Sequence, residues 1–260
     1  MTSLPFFQVD AFTIGPLTGN PAAVMPLERW LDDDLLQAIA AENNLSETAF
    51  TVPSECDGVD YDLRWFTPTT EVPLCGHATI ATGHVLMSAQ KLAFSTRQSG
   101  ILTVSRDQDL LQLDIPAHLV ASGEDPALLA ALGVHGDVFI GHRAESAAVV
   151  LLENEAAVRA VQPDFKALKG FHDLVIVTAP GDEQDIASRV FAAPCGIDED
   201  PVTGAAHAVL VPFWADRLGR TQFTALQASA RGGLLHCRLE GDRVVLGGEC
   251  RTVIVGQFQL

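Results

Sequence analysis

Positive charge is scarce in this chain. Sixteen lysines and arginines stand against 33 aspartates and glutamates in 260 residues, a net charge of −17. A phosphate backbone would be repelled, and no basic cluster relieves the repulsion, which argues against nucleic-acid binding and against an anionic membrane surface. No apolar run approaches the roughly 18–20 residues of a spanning helix. The N-terminal stretch MTSLPFFQVDAF has no basic segment ahead of an apolar one, so no secretory leader is expected. The five cysteines (Cys56, Cys75, Cys195, Cys237, Cys250) are odd in number and scattered, with neither a CxxC pair nor Cys/His zinc spacing. Free thiols and a cytoplasmic setting are the expectation.

What the chain has is apolar content, 48%, enough for a sizeable core in one or two domains. It also has a repeat. Glu71-Val-Pro73-Leu-Cys-Gly76-His-Ala78 reads E-x-P-x-x-G-x-A, and so does Glu199-Asp-Pro201-Val-Thr-Gly204-Ala-Ala206, 128 residues later. An apolar segment of helical length follows each glycine. A helix starting there would aim free backbone N–H groups at the turn, a site for an anion by geometry and by dipole.

The order of elements repeats as well. Residues 4–13 alternate in period two and predict a strand, and Gly19-Asn20-Pro21 marks a turn before a second strand at Ala22. Leu31, Leu35, Leu36, Ile39 and Ala40 have helical spacing, with Asp32 as the N-cap. Glu47 precedes a strand over 48–52, and Tyr61, Leu63 and Trp65 predict another. After the apolar helix, Gly100 opens a hairpin. In the second half, Ala147-Ala148-Val149 echoes Ala22-Ala23-Val24, Arg189-Val-Phe191 echoes Arg64-Trp-Phe66, and Gly233 opens a final hairpin. Two copies of one strand-rich unit follow, each with a helix apolar nearly all round that its sheet must bury. Pro212 predicts a kink in the second helix, and residues 252–260 have no apparent counterpart after the first hairpin.

A two-copy chain is expected to place its chemistry in the cleft between the copies. The titratable groups at the two turns are Glu71, Cys75 and His77, then Asp198, Glu199 and Asp200. The repeat aligns Cys75 with Thr203, whose hydroxyl is too weak a base, so a symmetric two-thiol racemase is disfavoured. A carboxylate and an imidazole suit acid–base work near neutral pH. Cys75 behind a helix N-terminus is either a second acid–base group or a buried inert thiol. Asn20 is either a ligand for a substrate carboxylate or a turn former. With Cys75, Gly76, Thr203 and Gly204 it completes the candidate substrate-binding set.

The segments FQVDAFT, GNPAAV, NLSETAF, LRWFTPTTEVPLCGHAT and EDPVTGAAH resemble the PhzF-like phenazine-biosynthesis isomerases, which share the diaminopimelate epimerase fold. The resemblance runs from Phe7 almost to the C-terminus. It implies an α+β architecture of two similar mixed β-sheet halves, each wrapped round a central α-helix, with the active site in the cleft between them. The halves are expected at residues 1–117, with 252–260 returning to the first, and at 118–251. The resemblance also implies a homodimer, no organic cofactor and no metal. Glu47 takes the acid–base role that the LSETAF glutamate has in the family, and His77 and Asp200 line the same pocket. The expected activity is a cofactor-independent isomerisation of a small carboxylic acid by proton transfer. A one-thiol epimerase or racemase using Cys75, and a non-catalytic ligand-binding relative, are the alternatives. Ala205 departs from the family pattern, since its best-studied members carry Ser there.

Overall fold

The computed structural model describes residues 2–141 and 147–260. It divides into two compact units, residues 1–114 with 247–260, and residues 115–246.

The first unit runs β1 (Ser3–Ala11), β2 (Asn20–Pro26), α1 (Asp33–Asn43), β3 (Glu47–Pro53), β4 (Tyr61–Phe66), β5 (Glu71–Val72), α2 (Gly76–Leu86), β6 (Lys91–Thr96), β7 (Ile101–Asp107) and β8 (Leu110–Pro116). β1 and β2 are antiparallel, β2 and β3 parallel, and β3 and β4 antiparallel; β4 then pairs antiparallel with β5 and parallel with β6. β6, β7 and β8 continue as an antiparallel meander. Alternation in β7 and β8 turns Leu102, Val104, Leu111 and Leu113 inward, as period two requires.

The second unit runs β9 (Val120–Gly123), α3 (Pro126–Leu132), β10 (Asp137–Gly141), β11 (Ala147–Leu151), α4 (Glu155–Ala160), α5 (Phe165–Leu168), β12 (Leu174–Pro180), β13 (Ile186–Ala192), β14 (Ile197–Asp200), α6 (Gly204–Leu218), β15 (Gln222–Gln227), β16 (Gly233–Glu240) and β17 (Arg243–Gly248). Its pairings repeat the first unit's: β10/β11 antiparallel, β11/β12 parallel, β12/β13 antiparallel, β13/β14 antiparallel, β13/β15 parallel. Register repeats too. Ala22 faces Glu47 in the first unit and Ala147 faces Leu174 in the second, so Leu174 occupies the position of Glu47.

The last strand, β18 (Cys250–Gln259), pairs antiparallel with β1 and belongs to the first unit. Its counterpart is β9, which pairs antiparallel with β10. The sequence showed no such counterpart. β9 has four residues, Val-Ala-Ser-Gly, too short and too little patterned to register as a strand.

α2 is buried along seven consecutive residues, His77 to Gly83. It packs against β1, β2, β3, β7 and β18. Close approach to β7 demands glycine at position 83, where a Cβ would stand 2.6 Å from Val104 Cγ1. The hydroxyls of Thr79 and Thr82 donate to the carbonyls of Cys75 and Ala78, which lets two polar residues sit in an apolar core. α6 is buried in the same way, and Trp214 Nε1 donates to Thr178 Oγ1 on β12. It is assigned as one helix through Pro212. Proline cannot donate to the carbonyl four residues back; that carbonyl, on Ala208, accepts from the His118 N–H at 2.9 Å instead. Among the described residues no helix is long and apolar enough to cross a membrane.

Candidate functional site

The first unit gathers Asn20, Glu47, Cys75 and His77. Asn20 and Glu47 are the first residues of the parallel neighbours β2 and β3. Asn20 follows Gly19, whose φ of +79° and whose contact with the Ala11 carbonyl leave no room for a Cβ. The turn therefore belongs to Gly19, while Asn20 is strand and fully buried. Cys75 is the N-cap of α2, with φ −142° and ψ 108°, and His77 lies in the first turn. These residues meet because strand starts and helix start lie at one end of the same unit.

His77 is the centre of the group. Its Nδ1 lies 3.2 Å from Asn20 Nδ2 and 3.5 Å from Cys75 Sγ, and its Nε2 lies 3.1 Å from Glu47 Oε2. The last contact is short enough for an ion pair but out of line for a hydrogen bond, so both facing atoms are buried with no hydrogen-bond partner. Ser46 Oγ donates to Asn20 Oδ1 at 3.2 Å and steadies the amide. Sequence reasoning missed Ser46; its place next to Glu47 was the available signal.

Burial pushes the Cys75 thiol up to about 11, and the Glu47 carboxylate adds to this against the pull of His77 and the Ala78 N–H. A helix N-terminus alone predicted a stabilised thiolate. Burial and a neighbouring negative charge outweigh it. Burial also opposes charge on His77, yet its contacts with Cys75 and then Glu47 raise the imidazole well above its ordinary value. Near neutral pH the thiol is protonated.

The second unit gathers Asp200, Thr203 and Gln227. Thr203 is the N-cap of α6, with φ −114° and ψ 106°, close to the conformation of Cys75. Its hydroxyl donates to Asp200 Oδ2 at 2.6 Å. Gln227, on β15, accepts from the Thr203 N–H at 2.8 Å and donates to the Asp200 carbonyl at 2.7 Å. No local pattern marks Gln227, because only strand pairing brings it 24 positions back along the chain. Gly76 and Gly204 open their helices, and first-turn N–H groups have no partner within a helix. His207 packs behind the second turn. Its Nδ1 donates to the Thr203 carbonyl, and burial holds its charge down to about 4, so it is neutral.

The glutamates of the repeated motif have a different task. Glu71 receives a two-pronged hydrogen bond from Arg64, 2.8 Å on each prong, and Glu199 receives the same from Arg189, at 2.8 and 2.9 Å. Each guanidinium lies about 5 Å over a phenylalanine two residues on, Phe66 or Phe191. Arg64 is buried and also bonds Asp33. The sequence showed both halves of each pair, as the Arg-x-Phe echo and the E-x-P echo, but not their contact.

A family model described as "Phenazine biosynthesis-like protein" matches residues 9–256. An uncharacterized isomerase of Pseudomonas aeruginosa is 48% identical, over 99% of both chains. A crystal structure of a PhzF-family phenazine biosynthesis protein from Enterococcus faecalis is 43% identical and superposes over 100% of both chains with a TM-score of 0.93. A hydroxyproline epimerase from Agrobacterium vitis, 11% identical, covers 98% of this chain and 92% of its own with a TM-score of 0.63, a likeness of fold alone. The architecture is the diaminopimelate epimerase-like one, and the chain belongs to the phenazine biosynthesis-like family and is an isomerase.

Proposed function

We propose that this isomerase moves a proton on a small carboxylic acid without a cofactor, with Glu47 as the acid–base group. Glu47 takes a proton from a carbon beside a carbonyl or double bond and returns it to another carbon. His77 faces the carboxylate and orients it. The N–H groups at the start of α2, from Gly76 onward, hold a carboxylate or dienolate oxygen of the substrate. Asp200, tied to Thr203, orients the substrate, and the N–H of Gly204 acts as the N–H of Gly76 does.

The observation that supports the reading best is the Glu47–His77 contact. A buried carboxylate oxygen 3.1 Å from an imidazole nitrogen places an acid–base carboxylate against the group that can orient it. Proton transfer by one positioned side chain contributes about 10²- to 10⁴-fold in rate.

A second reading makes Cys75 the proton carrier of a one-thiol epimerase. Its Sγ sits on the imidazole nitrogen opposite Glu47, which favours it. Its titration near 11 counts against it, since only about one thiol in 10⁴ is ionised at neutral pH. The test is deuterium uptake from heavy water into a panel of small unsaturated carboxylic acids, followed by NMR. Glu47→Gln is expected to lose at least 100-fold in exchange rate and Cys75→Ala less than tenfold. The reverse ranking would establish the thiol reading. Ligand binding with no exchange by the wild type would leave a binding protein.

A further inference from the structure

Among the described residues, one group of thiol, imidazole and carboxylate is compact enough to hold a metal ion. Sγ of Cys75, a ring nitrogen of His77 and a carboxylate oxygen of Glu47 all lie within 4.8 Å of one another. We propose that this triad is a binding site for a soft divalent cation of the zinc and cadmium class, and that the bound ion switches the isomerase off.

The donor set has the chemistry for it. Thiolate, imidazole and carboxylate are the ligand types of zinc, and three protein ligands with a fourth position left to water make a complete tetrahedral shell. Two of the donors have unfilled capacity in the folded chain. His77 Nε2 and Glu47 Oε2 are buried, face each other at 3.1 Å and have no aligned hydrogen-bond partner. The His77 side chain is 5% exposed. A cation between such atoms would satisfy both.

The elements that carry the donors are fixed. Glu47 opens β3, Cys75 caps α2 and His77 lies in its first turn. Tetrahedral ligation with bonds of about 2.0–2.3 Å places ligand atoms roughly 3.3–3.6 Å apart. The His77–Cys75 and His77–Glu47 contacts, 3.5 and 3.1 Å, are already on that scale. They involve opposite ring nitrogens, so the thiol or the carboxylate must turn toward the nitrogen that the other occupies.

Charge favours the same outcome. A divalent cation is attracted to a site built of a thiol and a carboxylate: on binding, the thiol proton leaves to solvent, the sulfur lone pair binds the ion, and nothing is oxidised or reduced. Binding does not depend on the proposed reaction. The inhibition does, because it follows from sequestering Glu47 as the base.

The test uses cadmium on the full chain with the exposed thiols removed (C56S/C195S), leaving Cys75 with two further free thiols, Cys237 and Cys250. The expected result is one equivalent bound, with a thiolate-to-metal charge-transfer band in the ultraviolet. Cys75→Ser abolishes the band, and His77→Gln or Glu47→Gln weakens binding at least tenfold. Magnesium and calcium produce no band. A band that survives Cys75→Ser, or the absence of stoichiometric binding, would overturn the site. If Cys75→Ser fails to fold by circular dichroism, unchanged cadmium affinity in His77→Gln overturns it equally. Proton exchange measured on the same samples separates the two ideas. Cadmium bound at the triad with exchange intact refutes Glu47 as the base and the switch with it. Exchange lost in Glu47→Gln without cadmium binding to the wild type refutes the metal site alone.

Discussion

Burial works against a charge on His77, while Cys75 and, next, the Glu47 carboxylate work for it. The two partners win, so the imidazole titrates well above its ordinary value of 6.5. A raised folded-state value stabilises the fold fully below the unfolded value, and the stabilisation disappears as pH rises through the folded one. Replacing Glu47 by glutamine removes its share of the attraction and leaves the burial cost. The imidazole of the E47Q protein is therefore expected to titrate lower than in the wild type, by NMR of the ring nitrogens. The stability advantage of the wild type over E47Q should shrink as pH is raised from about 6.5 through the His77 value. At this scale the sequence was informative about residue types and poor about partners. LSETAF and CGHAT pointed to Glu47 and His77, which meet at 3.1 Å. Ser46 was marked only by its place next to Glu47, and Gln227 had no mark, because its role arises from contacts and not from a local pattern.

At the scale of elements, the two Arg–Glu pairs hold the turns that launch α2 and α6. Chemistry-bearing positions differ between the copies, Cys75 against Thr203 and His77 against Ala205, while arginine, glutamate, proline and glycine recur. The recurrence locates the mechanical requirement. Side-chain hydrogen bonding from Arg64, against a burial cost, holds the Glu71 carboxyl below its usual range. A depressed carboxylate contributes stability above the unfolded value, and loses it as pH falls through the folded one. Arg64→Met is expected to cost about 3 kcal/mol at neutral pH, the low end for a broken buried pair, since Glu71 keeps 25% of its side chain in water. The cost should diminish as pH falls from the ordinary glutamate value of about 4.3 through the lower folded-state value of Glu71. Thermal melts of R64M and wild type across pH 3–8 would check both the size and the slope. The limits of α1 and the starts of α2 and α6 were legible in the sequence, while α3 and α5 were not. Pro212 lies inside α6, with the Ala208 carbonyl that it leaves free satisfied by the His118 N–H.

At the scale of the molecule, each unit is completed by a strand that follows a hairpin. β9 follows β8 and pairs in the second unit, and β18 follows β17 and pairs with β1 in the first. Deleting residues 250–260 leaves one edge of β1 without its ladder. Loss of hydrogen-exchange protection is then expected in the amides of β1, ahead of those in β11 to β13, whose pairings lie within the second unit. By itself the sequence determined the duplication, the α+β class, the buried helices and the residue types at the turns, because periodicity and repeated motifs are local properties that survive without coordinates. Only the tertiary structure decided that β9 is the counterpart of β18, that Glu71 and Glu199 are bound by arginines, that Cys75 stays protonated, and that His77 bridges a thiol and a carboxylate. Each of those depends on distance and burial between residues far apart in the chain, and no linear pattern carries that information.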